Sequence, residues 1–147
     1  MCRWRRGELL IDVMPTREDI LGFSNRWYAL AIEAAEKRTV AGLQVRIVTP
    51  ALFVATKLEA FRGRGRGDMV TSHDLEDIVT VVDGRPELVN EIEAGDPEVR
   101  DYIAATLRAL IADKDFLEAL PTFLLPDAGS QARRPLLERR LRELAEL

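Results

Sequence analysis

From Thr49 to its end the chain is divided by helix starts, and no other feature constrains its fold as strongly. Thr49-Pro50 and Asp96-Pro97 each place an N-cap oxygen directly before a proline at the first helical position, where a missing amide is harmless. Pro86 opens a further helix in the same way, and Thr71-Ser72 can cap a helix from about His73 to Val82 that Gly84 stops. The helix begun at Pro50 should run to about Phe61. It should then break in Arg62-Gly63-Arg64-Gly65-Arg66-Gly67, where three glycines make continuation costly. Tyr102, Ile103, Leu107 and Leu110 recur at helical spacing after Pro97, and Asp115 to Leu120 suits a short helical turn. A last segment begins at Asp127, breaks near Pro135 and puts Leu137, Leu141 and Leu144 on one stripe.

Before Thr49 the pattern changes. Cys2 to Arg6 and Leu9 to Val13 flank Gly7-Glu8 as a tight hairpin would, with Leu9, Ile11 and Val13 alternating against Leu10 and Asp12. Pro15 ends that strand. Arg26 to Lys37 is alanine-rich, with Tyr28, Ile32 and Ala35 at helical spacing, so a helix is expected there. Thr39-Val40 and Leu43 to Val48 flank Ala41-Gly42 and suggest a second hairpin. Strands in the first third and helices thereafter predict an α+β fold. Its small N-terminal mixed or antiparallel sheet, packed with helices, would occupy residues 1–85, and a helical C-terminal lobe residues 86–147, the two forming one compact unit.

Composition narrows the classes. No apolar run reaches the roughly 18–20 residues of a membrane span; Ile47 to Ala55 is the longest nearly uncharged stretch, and Thr49-Pro50 interrupts it. The basic start, Met1 to Arg6, is not followed by the apolar core of a secretion signal. Cys2 is the only cysteine, which rules out an internal disulfide or a cysteine metal cluster and fits a reducing cytoplasm. Charge is uneven: residues 1–67 carry twelve Lys/Arg against seven Asp/Glu, and residues 68–147 carry nine against eighteen. A basic front half can attract phosphate-bearing ligands; it equally describes a solvated surface.

Common catalytic signatures are absent. There is no Gly-x-x-x-x-Gly-Lys loop and no Gly-x-Ser-x-Gly elbow, and the single histidine, His73, excludes a two-histidine metal site. Ser72 and His73 are a candidate pair, although adjacent residues rarely point at each other. The dense region is Lys57 to Asp77. Arg62, Arg64 and Arg66 on a flexible glycine loop can grip phosphate oxygens. Asp74 and Asp77 follow at i, i+3 on one helix face. Such a juxtaposition suits a metal–triphosphate complex and suits an internal salt-bridge cluster equally. Arg66-Gly67-Asp68 matches an adhesion tripeptide by coincidence, and the short Arg-Gly alternation lacks the interleaved aromatics of an RNA-binding tract.

Several ordered motifs resemble a known family. Ile11-Asp12-Val13-Met14-Pro15-Thr16, Leu21-Gly22-Phe23-Ser24-Asn25-Arg26-Trp27-Tyr28, Thr49-Pro50 with Ala55-Thr56-Lys57-Leu58-Glu59-Ala60-Phe61, and Ser72-His73-Asp74-Leu75-Glu76-Asp77-Ile78 together resemble bacterial nucleotidyltransferase-fold proteins of the AbiEii-like, abortive-infection toxin group. The likeness spans roughly residues 3–130. It implies a polymerase-β-like core in which Mg²⁺ ions on a strand-borne Asp-x-Asp pair and a third carboxylate bridge a nucleoside triphosphate. On that likeness Asp12 matches the third, metal-binding carboxylate. Lys57 matches the lysine near the triphosphate, and Asp74, or alternatively Asp77, the acidic residue that follows it. Partners implied are an NTP, an RNA or protein acceptor, and an antitoxin or a second copy.

The departures are equally specific. The Gly-Ser/Asp-x-Asp element should precede Asp12, yet the eleven residues there contain no aspartate, and Gly129-Ser130 is followed by no Asp-x-Asp. A lone Asp12 cannot hold two metals, so weak or absent catalysis is expected. A sheet lacking its first strand should expose an unpaired edge and apolar surface. Two functions therefore stand side by side: nucleotide transfer of toxin type, and a non-catalytic nucleotide-binding or protein-interaction module.

Overall fold

The computed structural model describes residues 2–16, 19, 25–64 and 69–147. It is α+β, and its strands and helices are segregated. Hairpin β1 (Cys2–Arg6) and β2 (Leu9–Val13) is followed by α1 (Tyr28–Glu33), then hairpin β3 (Glu36–Val40) and β4 (Leu43–Ile47). Helices α2 (Pro50–Arg64), α3 (His73–Gly84), α4 (Leu88–Glu93), α5 (Pro97–Ile111) and α6 (Lys114–Ala119) come next. A 3-10 turn (Leu120–Phe123), α7 (Ala128–Gln131) and α8 (Arg134–Ala145) complete the chain.

Several helix starts form as their residues dictate, whereas α4 begins at Leu88, two residues past Pro86, with no side-chain bond at its cap residue Glu87. Ser72 accepts from the Leu75 amide, Asp96 from the amides of Glu98 and Val99, and Asp127 from that of Ser130. Each side chain satisfies donors that a helix leaves orphaned at its first turn. The expected leucine stripe is the keystone of the core: Leu137, Leu141 and Leu144 on α8 are each 0% exposed. They belong to one buried cluster running from Trp27 to Ala145, so side chains on both sides of residue 85 share it. Helix α8 packs on α3, α4 and α5, and α2 packs on α3 and α5.

Three expectations are corrected. The first concerns the sheet: the strands form two separate two-stranded antiparallel sheets, β1–β2 and β3–β4, and all of their residues whose burial is described are exposed. The helices bury their apolar faces against one another and leave the strands outside the core. The second is the helix over Arg26 to Lys37, which is confined to Tyr28–Glu33. Glu36 and Lys37 instead pair with Ile47 and Arg46, and the Arg46 guanidinium donates to the carbonyls of Ile32, Glu33 and Ala35 at 2.8, 3.0 and 3.2 Å. Strand pairing and this cap outweigh the alanine propensity. The third is α2, which continues past Phe61 through Gly63 to Arg64.

Both hairpins turn on two residues. Gly7 has φ +62°, and in the second turn Ala41 and Gly42 have φ +50° and +79°. Positive φ at both central positions is what a type I′ turn requires, and Ala41 is the residue least suited to it, since a Cβ there costs about 1–2 kcal/mol.

The separation of core and hairpins sets a stability contrast. Leu141→Ala should cost about 2–5 kcal/mol in urea denaturation, because a fully buried leucine leaves a cavity. Leu43→Ala, at 68% exposure, should change stability by no more than about 0.5 kcal/mol.

Candidate functional site

The Lys57 region is built from the facing sides of α2 and α3. On α2, Val54, Ala55, Leu58 and Phe61 are buried, and on α3 Leu75, Ile78, Val79 and Val82 are. Lys57 and the Asp74/Asp77 pair border these apolar stripes, so packing the two helices brings the three charges together. Lys57 Nζ lies 3.2 Å from Asp74 Oδ1 and 2.5 Å from Asp77 Oδ2, and 5.8 Å from the Phe53 ring centre. Its side chain is 27% exposed. Burial by itself would lower the Lys57 pKa, but the hydrogen bonds and charges of Asp77 and Asp74 together outweigh it and hold Lys57 above the ordinary lysine range. The i, i+3 aspartates thus share one lysine.

Other candidates sit elsewhere. Asp12 is on β2, where Arg3 grips both carboxylate oxygens at 2.6 and 2.7 Å across the hairpin. Those hydrogen bonds hold Asp12 below the usual carboxylate range. Ser72 is occupied as the α3 cap, with its Oγ 3.3 Å from the Leu75 nitrogen. His73 is turned to solvent, its Nδ1 3.1 Å from Glu76 Oε2 rather than against Ser72. Arg66 and the Arg64 side chain lie outside the described part of the chain. Among the described residues, no group of three or more His, Cys, Asp or Glu side chains converges in a way that could hold a metal ion. Asp12, committed to Arg3, does not add to the Asp74/Asp77 pair, so these residues do not fit a two-metal centre.

Arg62 has a setting that the sequence did not disclose. Its guanidinium lies 5.8 Å from the Tyr102 ring centre and 4.0 Å from Glu59. Tyr102 donates its hydroxyl to Glu59 at 2.6 Å, and burial, then this hydrogen bond, push its pKa up against the opposing pull of Arg62. Arg26 stacks 4.4 Å above Trp27 and 5.4 Å from Tyr102 while pairing with Glu98 at 2.6 Å. Cations over aromatic faces and neutralised by two glutamates bind α1, α2 and α5 together. Tyr102 was legible as a core position; its link to Glu59, 43 residues away in sequence, left no local signal. The Trp27 indole nitrogen is buried and has no hydrogen-bond partner among the described residues.

Open clefts occur elsewhere. One of about 370 Å³ lies between Met14, Tyr28, Ile32, Arg46 and Val48. Another of about 380 Å³ lies between Ile47, Phe53, Val81 and Arg85. Both are mainly apolar, lie at the bases of the hairpins and exclude Lys57. No helix of the described residues is long and apolar enough to cross a membrane. No protein-family model, curated protein or solved structure matches the chain.

The pKa directions fix an alkaline response. Lys57 and Tyr102 are both raised on folding, so their stabilisation is complete below the unfolded values, about 10.4 and 10. It is lost as pH rises through the folded values. Melting temperature should therefore fall above about pH 10, and the fall should be shallower in Lys57→Met and in Tyr102→Phe. At neutral pH Lys57→Met should cost about 1–3 kcal/mol, because it removes the cation that Asp74 and Asp77 share.

Proposed function

We propose that this chain is an interaction module: a helical body that presents two β-hairpins for a partner to cover. The observation that carries this reading is the pair of amphipathic hairpins. Their registers put Trp4, Leu9, Ile11 and Val13, with Arg6, on one face of β1–β2, and Val40, Leu43, Val45 and Ile47, with Glu36 and Arg38, on one face of β3–β4. The first four side chains are each at least 50% exposed. A lone two-stranded hairpin is marginal in water and gains stability from further strands or a packed layer. Exposed apolar strands with free edges are the usual substrate of strand addition.

A second reading follows the nucleotidyltransferase likeness, and Lys57 meeting Asp74 and Asp77 favours it. Lys57 and the arginines of the glycine loop would hold a nucleoside triphosphate, with Mg²⁺, an RNA acceptor and an antitoxin as the partners the likeness implies. The first reading is preferred because Lys57 is already shared by two carboxylates and Arg62 is held at Tyr102 and Glu59. A triphosphate would have to displace both arrangements.

One pair of measurements separates the readings. The folded protein should bind an apolar-surface dye such as ANS, and substituting Trp4, Ile11, Leu43 and Val45 by threonine should weaken that binding without loss of helical circular dichroism. ATP, GTP, CTP or UTP with Mg²⁺ should leave the melting curve unchanged. A nucleotide at one hundred times its Kd would instead stabilise the fold by about 2.7 kcal/mol. Such a shift, lost in Lys57→Ala, would overturn the interaction reading in favour of nucleotide binding.

A further inference from the structure

We infer that the partner of the first hairpin is a second copy of this chain, joined by antiparallel pairing of β2 with β2. This rests on the interaction reading and specifies its partner. The two-residue turn makes Arg6 and Leu9 a hydrogen-bonded pair. Alternation then directs the backbone groups of Leu9, Ile11 and Val13 towards β1 and those of Leu10 and Asp12 outward, away from it. No third strand joins this sheet among the described residues.

Charge selects which edge accepts the copy. Along β1 the outward groups belong to Arg3 and Arg5. Pairing that strand with itself about Trp4 would set Arg3 of each copy directly opposite Arg5 of the other. Like charges placed so are destabilising, and charged edges of this kind are how sheets avoid unwanted pairing. Along β2 the outcome is reversed. Antiparallel pairing centred on Ile11 sets Leu10 opposite Asp12, so no like charges meet. Asp12 moreover arrives already neutralised by its own Arg3 at 2.6 Å.

The same register matches the hydrogen bonding. Leu10 and Asp12 of the two copies present outward amides and carbonyls at the positions where an antiparallel ladder exchanges its bonds. Ile11 meets Ile11 and Leu9 meets Val13 on the apolar face, in the closer, non-hydrogen-bonded pairs. The product is a four-stranded sheet, β1–β2–β2–β1, above the strand number at which a sheet with one apolar face becomes stable. Its two outer edges are the arginine-bearing β1 strands, so this sheet stops at four strands from two copies.

Sedimentation of the full chain over a range of concentrations tests this. The wild type should form a dimer. Leu10→Pro deletes an outward amide that the hairpin itself does not use, and Ile11→Lys places like charges on the two-fold axis. Each should raise the dimer dissociation constant at least about tenfold with the helical circular dichroism intact. In a Cys2→Ser background, Ile11→Cys should oxidise rapidly to a covalent dimer, because opposed residues of a non-hydrogen-bonded pair lie within disulfide reach. Trp4→Cys should not. A monomer at every concentration, a dimer indifferent to both edge variants, or preferential cross-linking at position 4 would each overturn β2 pairing. Continued dye binding by a monomer would leave the interaction reading standing, and its absence would remove both.

Discussion

The last helix closes the core, and the rest of the molecule depends on that closure. Leu137, Leu141 and Leu144 lie on the helix that packs on α3, α4 and α5, and none of the three is accessible to solvent. Polar contacts fix the same seam. Arg140 donates to the carbonyls of Val82 and Asp83 at the end of α3, Arg133 pairs with Asp83, and Arg108 on α5 donates to Ala145 at the end of α8. Helix ends carry unsatisfied carbonyls and a partial negative charge, so guanidiniums from neighbouring helices are well matched to them. Apolar stripe and cationic caps thus agree on one arrangement, the consistency that singles out a native state.

The helical part was legible in the sequence because its signals are local. A proline after a capping residue and a leucine every three or four positions need no knowledge of the rest of the chain, and the starts at Pro50, His73 and Pro97 fall where those signals put them. What was not legible depends on distant residues. The Ala-rich stretch ends at Glu33 because Arg46, on a strand formed later in the chain, caps it. The alternation in both hairpins was visible, but alternation states only which face is apolar. It does not say whether a helix layer covers that face, and here helix–helix packing consumed the layer.

Much the same limit applied to the charged residues. The i, i+3 spacing of Asp74 and Asp77 was enough to place them together, and Lys57 completes the group from an adjacent helix. Arg62 was read as a phosphate ligand or as part of an internal salt-bridge cluster; it lies 4.0 Å from Glu59, three residues before it, and 5.8 Å from the ring of Tyr102, forty residues on. Asp12 was read by motif, while its immediate environment is decided by the cross-strand neighbour Arg3. Long-range partners decide what a charged side chain is available for, and a sequence records only the near ones.

The turn at Ala41 has a consequence for anything that engages the second hairpin. An alanine forced to φ +50° stores local strain of about 1–2 kcal/mol, in a two-stranded element with no buried face to offset it. Closing that hairpin is then less favourable by that amount than with a residue suited to the turn, and its amides should exchange with solvent more readily. A molecule that binds the closed form completes a folding step as it binds. Its apparent affinity is lowered by the closed fraction, and replacing Ala41 with a residue at ease in the left-handed region would tighten binding without adding a single contact.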